Sequence, residues 1–289
     1  MKKHLLYLVF PVLASLSACK DEAEQIPAYL RIQPFTVNEP GGVGWQEITD
    51  GWLYVNGEFL GAYTLPATVP VLAEGESEVF IYPGVKENGI NYTPNLYLFM
   101  KRYETKVNLS GPNQTTIQPS TAYDLAAVFP YEGRGDLDGS PTLQIIDRDG
   151  DTGSTFSLTT NGAFSGKSLL MAVDTAHPTI DISTEKVALP STAAQEVWLE
   201  LHHNNDIPFT LNLLGSSSGS TAEYAQAVYR FNETDGWNKI YINLTEFLIA
   251  AAQDEYSLYI HVTLPKDEKG NYSTTNGKVL LDNLRLVHF

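Results

Sequence analysis

The sequence predicts an all-β fold, and three observations carry the prediction. Short runs of alternating apolar and polar residues recur along the chain, separated by Gly, Pro, Asn and Asp. No long stretch shows the 3.6-residue period of an amphipathic helix; only 221–229 and 244–252 read as short helical candidates. Asn56-Gly57 sits between two β-rich runs, a hairpin signal because a type I′ turn needs positive φ at both central positions. The chain has 289 residues, 43% of them apolar and 18% charged, enough to bury a sizeable core. Its length suggests roughly two domains. It carries 18 Lys and Arg against 34 Asp and Glu, a net charge of -16. That balance argues against a nucleic-acid binder, whose affinity rests on neutralising phosphates, and against electrostatic docking on anionic lipid.

Residues 1–18 are expected to be a processing segment. Lys2 and Lys3 precede an apolar run over 5–16, too short to span a bilayer and organised as a secretory signal peptide. Leu16-Ser17-Ala18-Cys19 resembles the lipobox of bacterial lipoproteins. The resemblance implies that Cys19, the single cysteine, is acylated and becomes the amino terminus. Lys20-Asp21-Glu22 resembles the Lys-plus-acidic signal of Bacteroidetes-type lipoproteins. It implies an outer-membrane protein facing the cell exterior, held by more than one acyl chain. Residues 19–27 then form the lipidated Cys and a polar tether. An acylated Cys19 leaves no thiol for catalysis, metal binding or disulfides.

A small β-sandwich is expected over 28–118. Trp52-Leu53-Tyr54-Val55, the Asn56-Gly57 turn and Glu58-Phe59-Leu60-Gly61-Ala62-Tyr63 form its clearest hairpin. Leu65 to Pro70 follows, with two prolines that suit an edge or a crossover. Gly75 turns the chain into Glu78-Val79-Phe80-Ile81-Tyr82-Pro83. This order resembles PEGA-like domains, small β-sandwich modules of bacterial surface proteins, which implies a spacer or interaction role. Residues 119–141, rich in Gly and Asp after Pro130, read as a linker.

A jelly roll in two antiparallel sheets is expected over 142–289. Strand patterns lie at 143–146, 155–159, 168–173, 196–202, 209–213, 227–231, 239–244, 257–263 and 278–287, about the number such a fold needs. Gly166-Lys167-Ser168-Leu169, the run from Gly236 to Leu244 and the closing Leu281-Asp282-Asn283-Leu284-Arg285-Leu286 resemble galactose-binding-like jelly rolls, common among carbohydrate-binding modules. That resemblance implies sugar recognition.

Alternation sharpens the expectation. Val197, Leu199 and Leu201 fit a core face, which puts Trp198, Glu200 and His202 opposite. The same reasoning puts Tyr241 opposite Ile240 and Ile242, and Tyr259 and His261 opposite Leu258, Ile260 and Val262. If these strands share a sheet, Trp198, His202, Tyr241, Tyr259 and His261 form a platform for a neutral glycan. The alternative is that this face packs on a loop, on the first unit or on a partner.

Asp147, Asp149 and Asp151 are candidates for a structural calcium, since alternate carboxylates can converge on a hard cation. Thr152 and Leu158 stand where an EF-hand needs Gly and Glu, so that motif is excluded. By analogy with jelly-roll binding modules, Asp282 would complete the set. The alternative is a solvated turn, which Asp and Gly favour. Gly215-Ser216-Ser217-Ser218-Gly219 matches the serine-hydrolase elbow, but no strand-helix alternation surrounds it. His202 and His203 point to opposite faces of a strand and cannot chelate together. Glu200, Glu223 and Glu246 are conceivable glycosidase carboxylates that sequence cannot pair. The expected function is therefore a lipid-anchored, non-enzymatic surface protein whose jelly roll binds glycan. The alternative is an accessory subunit of an outer-membrane export, uptake or adhesion complex.

Overall fold

The computed structural model describes residues 24–38, 46–90, 92–131, 134–139 and 142–289. The expected signal segment, lipobox and Cys19 lie outside them. The described residues are almost entirely strand and turn.

The first unit contains β1 (Ala28–Ile32), β2 (Thr36–Val37), β3 (Asp50–Val55), β4 (Glu58–Thr64), β5 (Ala67–Val71), β6 (Gly75–Lys86), β7 (Pro94–Leu96), β8 (Tyr103–Leu109), β9 (Gln114–Ile117) and β10 (Ser120–Thr121). One sheet has the order β4-β3-β6-β7, with β8 also paired to β6; a second has the order β5-β1-β9. Asn56 and Gly57 adopt φ of 51° and 84° and close the β3–β4 hairpin. Leu53 and Val55 of β3 and Val79 and Ile81 of β6 meet Leu30 and Ile32 of β1 in the core between the sheets. Trp52, Tyr54, Phe80 and Tyr82 alternate with them and so point outward.

The second unit contains β11 (Ile145–Asp147), β12 (Thr155–Thr159), β13 (Ser168–Asp174), β14 (Thr179–Thr184), β15 (Val197–Asn205), β16 (Phe209–Ser216), β17 (Tyr224–Phe231), β18 (Asn238–Asn243), the helix α1 (Thr245–Ala251), β19 (Glu255–Thr263) and β20 (Asn276–His288). Two five-stranded sheets face each other, ordered β11-β14-β19-β16-β17 and β12-β13-β20-β15-β18. All their ladders are antiparallel. Leu199, Leu201, Ile240, Ile242, Leu258, Ile260 and Val262 all lie in the core between them. The chain is thus a small β-sandwich followed by an antiparallel jelly roll.

Two local expectations need correction. The 221–229 stretch is not a helix: from Tyr224 it enters the strand β17, because pairing with β16 overrides the propensity of its alanines. The 119–141 stretch is not a free linker. Tyr131 and Leu137 are 2% and 0% exposed in the second unit's core. Gly135 lies so close to β20 that a Cβ there would fall 1.6 Å from the Leu284 carbonyl oxygen.

A third apolar cluster joins the units. Val85, Tyr97, Phe99, Met100 and Tyr123 of the first pack on Trp198, Tyr241 and Val287 of the second. Backbone links reinforce it: Asn88 N–H donates to the Tyr241 carbonyl at 2.8 Å, and Val128 bridges His288.

Candidate functional site

The structure divides the five residues expected to form one platform. Trp198 and His202 are on β15 and Tyr241 on β18, in one sheet, whereas Tyr259 and His261 are on β19, in the other. Alternation correctly puts Trp198 and Tyr241 on the outward side of their sheet, but the first unit covers it. Trp198 is 0% exposed and Tyr241 3%. Tyr97 packs edge-on against both, with centroids 5.6 and 5.1 Å away. The Tyr241 hydroxyl donates to Gln46 Oε1 and accepts from the Glu47 N–H, each at 2.9 Å. His202 is also buried, stacked on Phe164 at 4.0 Å between centroids. These three belong to packing, and of them only Tyr241 borders a cleft, between the two units.

Glu200 lies at the centre of that interface and is 0% exposed. Lys239 pairs with it at 2.9 Å, and the hydroxyls of Tyr97 and Tyr123 both donate to its Oε1. Burial alone would raise its pKa; Lys239, Arg285 and the two hydroxyls outweigh burial and bring it to about 2. Burial likewise pulls the Lys239 ammonium down against the attraction of Glu200. With two cations and two hydroxyls turned on it, the carboxylate is the member held ionised. Glu200 is thus a structural carboxylate with no access to a substrate.

The acidic loop and Asp282 do not come together. Asp151 Oδ2 bonds His177 Nδ1 at 2.8 Å, just beyond the end of β13. Asp282 accepts from Ser168 Oγ at 2.7 Å, at the start of β13. Those two ends are separated by about 20 Å of extended strand. Within the loop, the carboxylates serve local turns. Asp147 accepts from the Asp149 N–H, Asp149 from the N–H groups of Asp151 and Asp181, and Asp151 from the Gly153 N–H. Among the described residues no three His, Cys, Asp or Glu side chains converge where a cation could be held. Asp282 is raised to about 6 by burial, despite its bonds to Ser168 and Ser165.

Tyr259 and His261 remain, on the outward face of the sheet that the first unit does not cover. Register builds two rows across this face. Asp181, His261, Thr210 and Arg230 stand opposite one another in turn, as do Ser183, Tyr259, Asn212 and Ala227. His261 Nδ1 meets Asp181 Oδ1 at 2.6 Å, and Tyr259 stands beside His261 on the same face. At one edge Arg148 donates to Ser183 Oγ at 2.8 Å and forks onto Glu223 at 3.1 and 3.2 Å; Lys186 joins Glu223 at 3.0 Å. Burial pushes Asp181 up, but the His261 and Tyr259 contacts bring it below the usual carboxylate range. The bond to Asp181 raises His261, and burial first, then Asp181, pushes Tyr259 to about 12.

No protein-family model matches the chain, and no curated protein matches it. Among solved structures, it is similar to the family 11 carbohydrate-binding module of a cellulosomal cellulase of Clostridium thermocellum. The identity is 12%, with 53% of this chain and 91% of that one covered, at a TM-score of 0.36. A carbohydrate-binding module of the β-sandwich superfamily, described as promiscuous in specificity, is 13% identical over 91% of this chain and 99% of that one, at 0.37. The enzymatically active domain of tailspike protein 4 of bacteriophage CBA120 is 10% identical over 61% of this chain and 26% of that one, at 0.38. Likeness of this degree assigns neither a family nor a ligand.

What the open face can do follows from its groups. It offers one half-exposed aromatic ring and, around it, carboxylate, imidazole, amide, hydroxyl and guanidinium groups already oriented by one another. Sequence reasoning missed Asp181, Asn212 and Arg148, and named Glu223 only as a conceivable glycosidase carboxylate, because these residues join Tyr259 and His261 only through strand register and a long loop. Asp181→Asn is expected to bring the His261 pKa down towards its ordinary 6.5, read by NMR titration of the imidazole. An unchanged value would show that Asp181 is not its cause. The sign follows: a raised imidazole pKa contributes stability that is complete below 6.5 and fades as the pH rises through the elevated value.

Proposed function

We propose that the chain is a non-catalytic surface protein, anchored to the outer membrane through Cys19, which binds a neutral glycan on the open face of its jelly roll. The observation that supports this reading most is the half-exposed Tyr259 ring set among Asp181, His261, Asn212 and Arg148. A pyranose presents an apolar face to such a ring and hydroxyls to the polar groups beside it. The net charge of -16 disfavours acidic polysaccharides. The Glu223 carboxylate is held by Arg148 and Lys186, which favours a fixed recognition surface over a titrating catalytic pair.

The test is a glycan-array screen of the detergent-solubilised full chain beside Tyr259→Ala. Specific binding to a neutral glycan, weakened roughly tenfold or more by the loss of one ring contact, is the expected result. Binding that Tyr259→Ala leaves untouched would remove this face from the proposal. A blank across neutral glycans would turn attention to the accessory-subunit reading.

A further inference from the structure

We infer that the first unit carries a second, separate ligand face, and that its ligand is a neutral oligosaccharide. The face is the outward side of β3, β4 and β6. Trp52 stands opposite Tyr82, and Tyr54 opposite Phe80 on one side and Phe59 on the other. The Trp52 and Phe59 rings stack with centroids 5.5 Å apart and planes at 25°. Tyr54 closes the group, 5.0 Å from Phe59 and 5.5 Å from Tyr82. Phe59 is 49% exposed. The strand alternation that buries Leu53, Val55, Val79 and Ile81 turns Trp52, Tyr54, Phe80 and Tyr82 to the outward side, where they are partly exposed around the exposed Phe59. A sheet with one face in the core ordinarily turns polar side chains outward. Five clustered aromatics there call for an occupant.

The surroundings define the occupant. Arg102 lies 4.4 Å over the Phe80 ring and donates to the Tyr82 hydroxyl at 2.7 Å. Its charge is balanced in place by Glu104, as Lys106 is by Glu76 at 3.2 Å. Arg102 and Lys106 are thus both paired, while Glu78 on β6 and Asp124 in the cleft add carboxylates, which suits a neutral polar ligand over an anionic one. The rings run into a cleft of about 380 Å³ bordered by Tyr82, Leu98, Arg102, Glu104 and Asp124. The exposed Phe59 ring, with Tyr54 tilted beside it and the Tyr82 hydroxyl, Arg102 and Glu104 at the mouth of the cleft, fits a sugar chain that stacks one ring on Phe59 and turns its hydroxyls to those polar groups.

The test is calorimetric titration of the full chain with cellohexaose, mannohexaose and xylohexaose, done in the Tyr259→Ala background so that the jelly-roll face does not contribute. Phe59→Ala removes an exposed ring, and Tyr82→Phe keeps the ring while losing the hydroxyl. Binding of at least one hexasaccharide is expected, weakened roughly fivefold or more by Phe59→Ala, the size of one lost ring contact. Tyr82→Phe should weaken it less. No binding of any of the three, or binding that neither variant alters, would overturn the inference. So would concentration-dependent self-association abolished by Phe59→Ala, which would make the face a dimer contact. The first reading fails separately, if Tyr259→Ala has no effect on glycans bound by the unaltered chain.

Discussion

Glu200→Ala is expected to cost about 3–5 kcal/mol of folding stability, the penalty for leaving buried charges without their partner. Lys239 would lose its carboxylate at 2.9 Å, and Tyr97 and Tyr123 would lose the acceptor they share. Arg285, stacked 5.1 Å from the Tyr123 ring, would remain as a second cation in the same buried site. Urea unfolding followed by two probes would measure the loss. Coincident transitions would show that the interface cluster and the rest of the fold melt together. Replacing the ion pair as a whole, by Glu200→Leu with Lys239→Met, should recover much of it, because apolar groups of similar volume need no partner. A loss below 1 kcal/mol for Glu200→Ala would mean that water reaches the site.

The same residue sets part of the acid response. Its pKa of about 2, against 4.5 unperturbed, gives stability present above about 4.5 and lost as the pH falls towards 2. Asp282 acts with opposite sign. Raised to about 6 from 3.8, it destabilises the fold near neutrality, and that burden lifts as the pH drops through 6. The acid limb of the stability curve should therefore be shallower in Glu200→Ala than in the unaltered protein.

Trp198→Ala is expected to lower stability by about 3–5 kcal/mol, as large aromatic truncations in cores do. The side chain is wholly buried, edge-on to Tyr97, with its indole N–H donating to Glu196 at 2.8 Å. In a chain of this size that is a fall in Tm of roughly 10 °C. Glycan affinity measured well below the transition should be unchanged, which separates a packing residue from a binding one. A large affinity loss in a chain that keeps its Tm would reverse the assignment.

The contrast between Trp198 and Tyr259 shows what could be read in advance. The hairpin at Asn56-Gly57 and the inward set Leu199, Leu201, Ile240, Ile242, Leu258, Ile260 and Val262 were legible, because turn chemistry and period-2 alternation are local. Alternation says which side of a strand a residue takes; it does not say what covers that side. Trp198 and Tyr241 were correctly turned away from the core between the sheets and then buried by a unit about a hundred residues earlier. Sheet membership was equally hidden. β19 reads like β15 and β18 in sequence, yet it pairs with β14 and β16, so Tyr259 and His261 open onto a different surface. The acidic loop misled for a physical reason. Asp carboxylates that could converge on a cation can equally accept nearby backbone N–H groups, and here they do.

β20 holds a further consequence, for how the protein is made. It lies in the middle of its sheet, between β13 and β15, although it follows both by long stretches of chain. Its Leu284 carbonyl is the wall against Gly135, and its Val287 enters the cluster that joins the units. Until the ribosome has delivered 276–288, β13 and β15 have no shared neighbour, and their inner edges and half of the core stay open. Closure must then come in one late, long-range step, slow by the standards of helical proteins. During that interval two unpaired strand edges are exposed to other chains. A cell making this chain therefore has reason to keep it shielded until its last strand is in place.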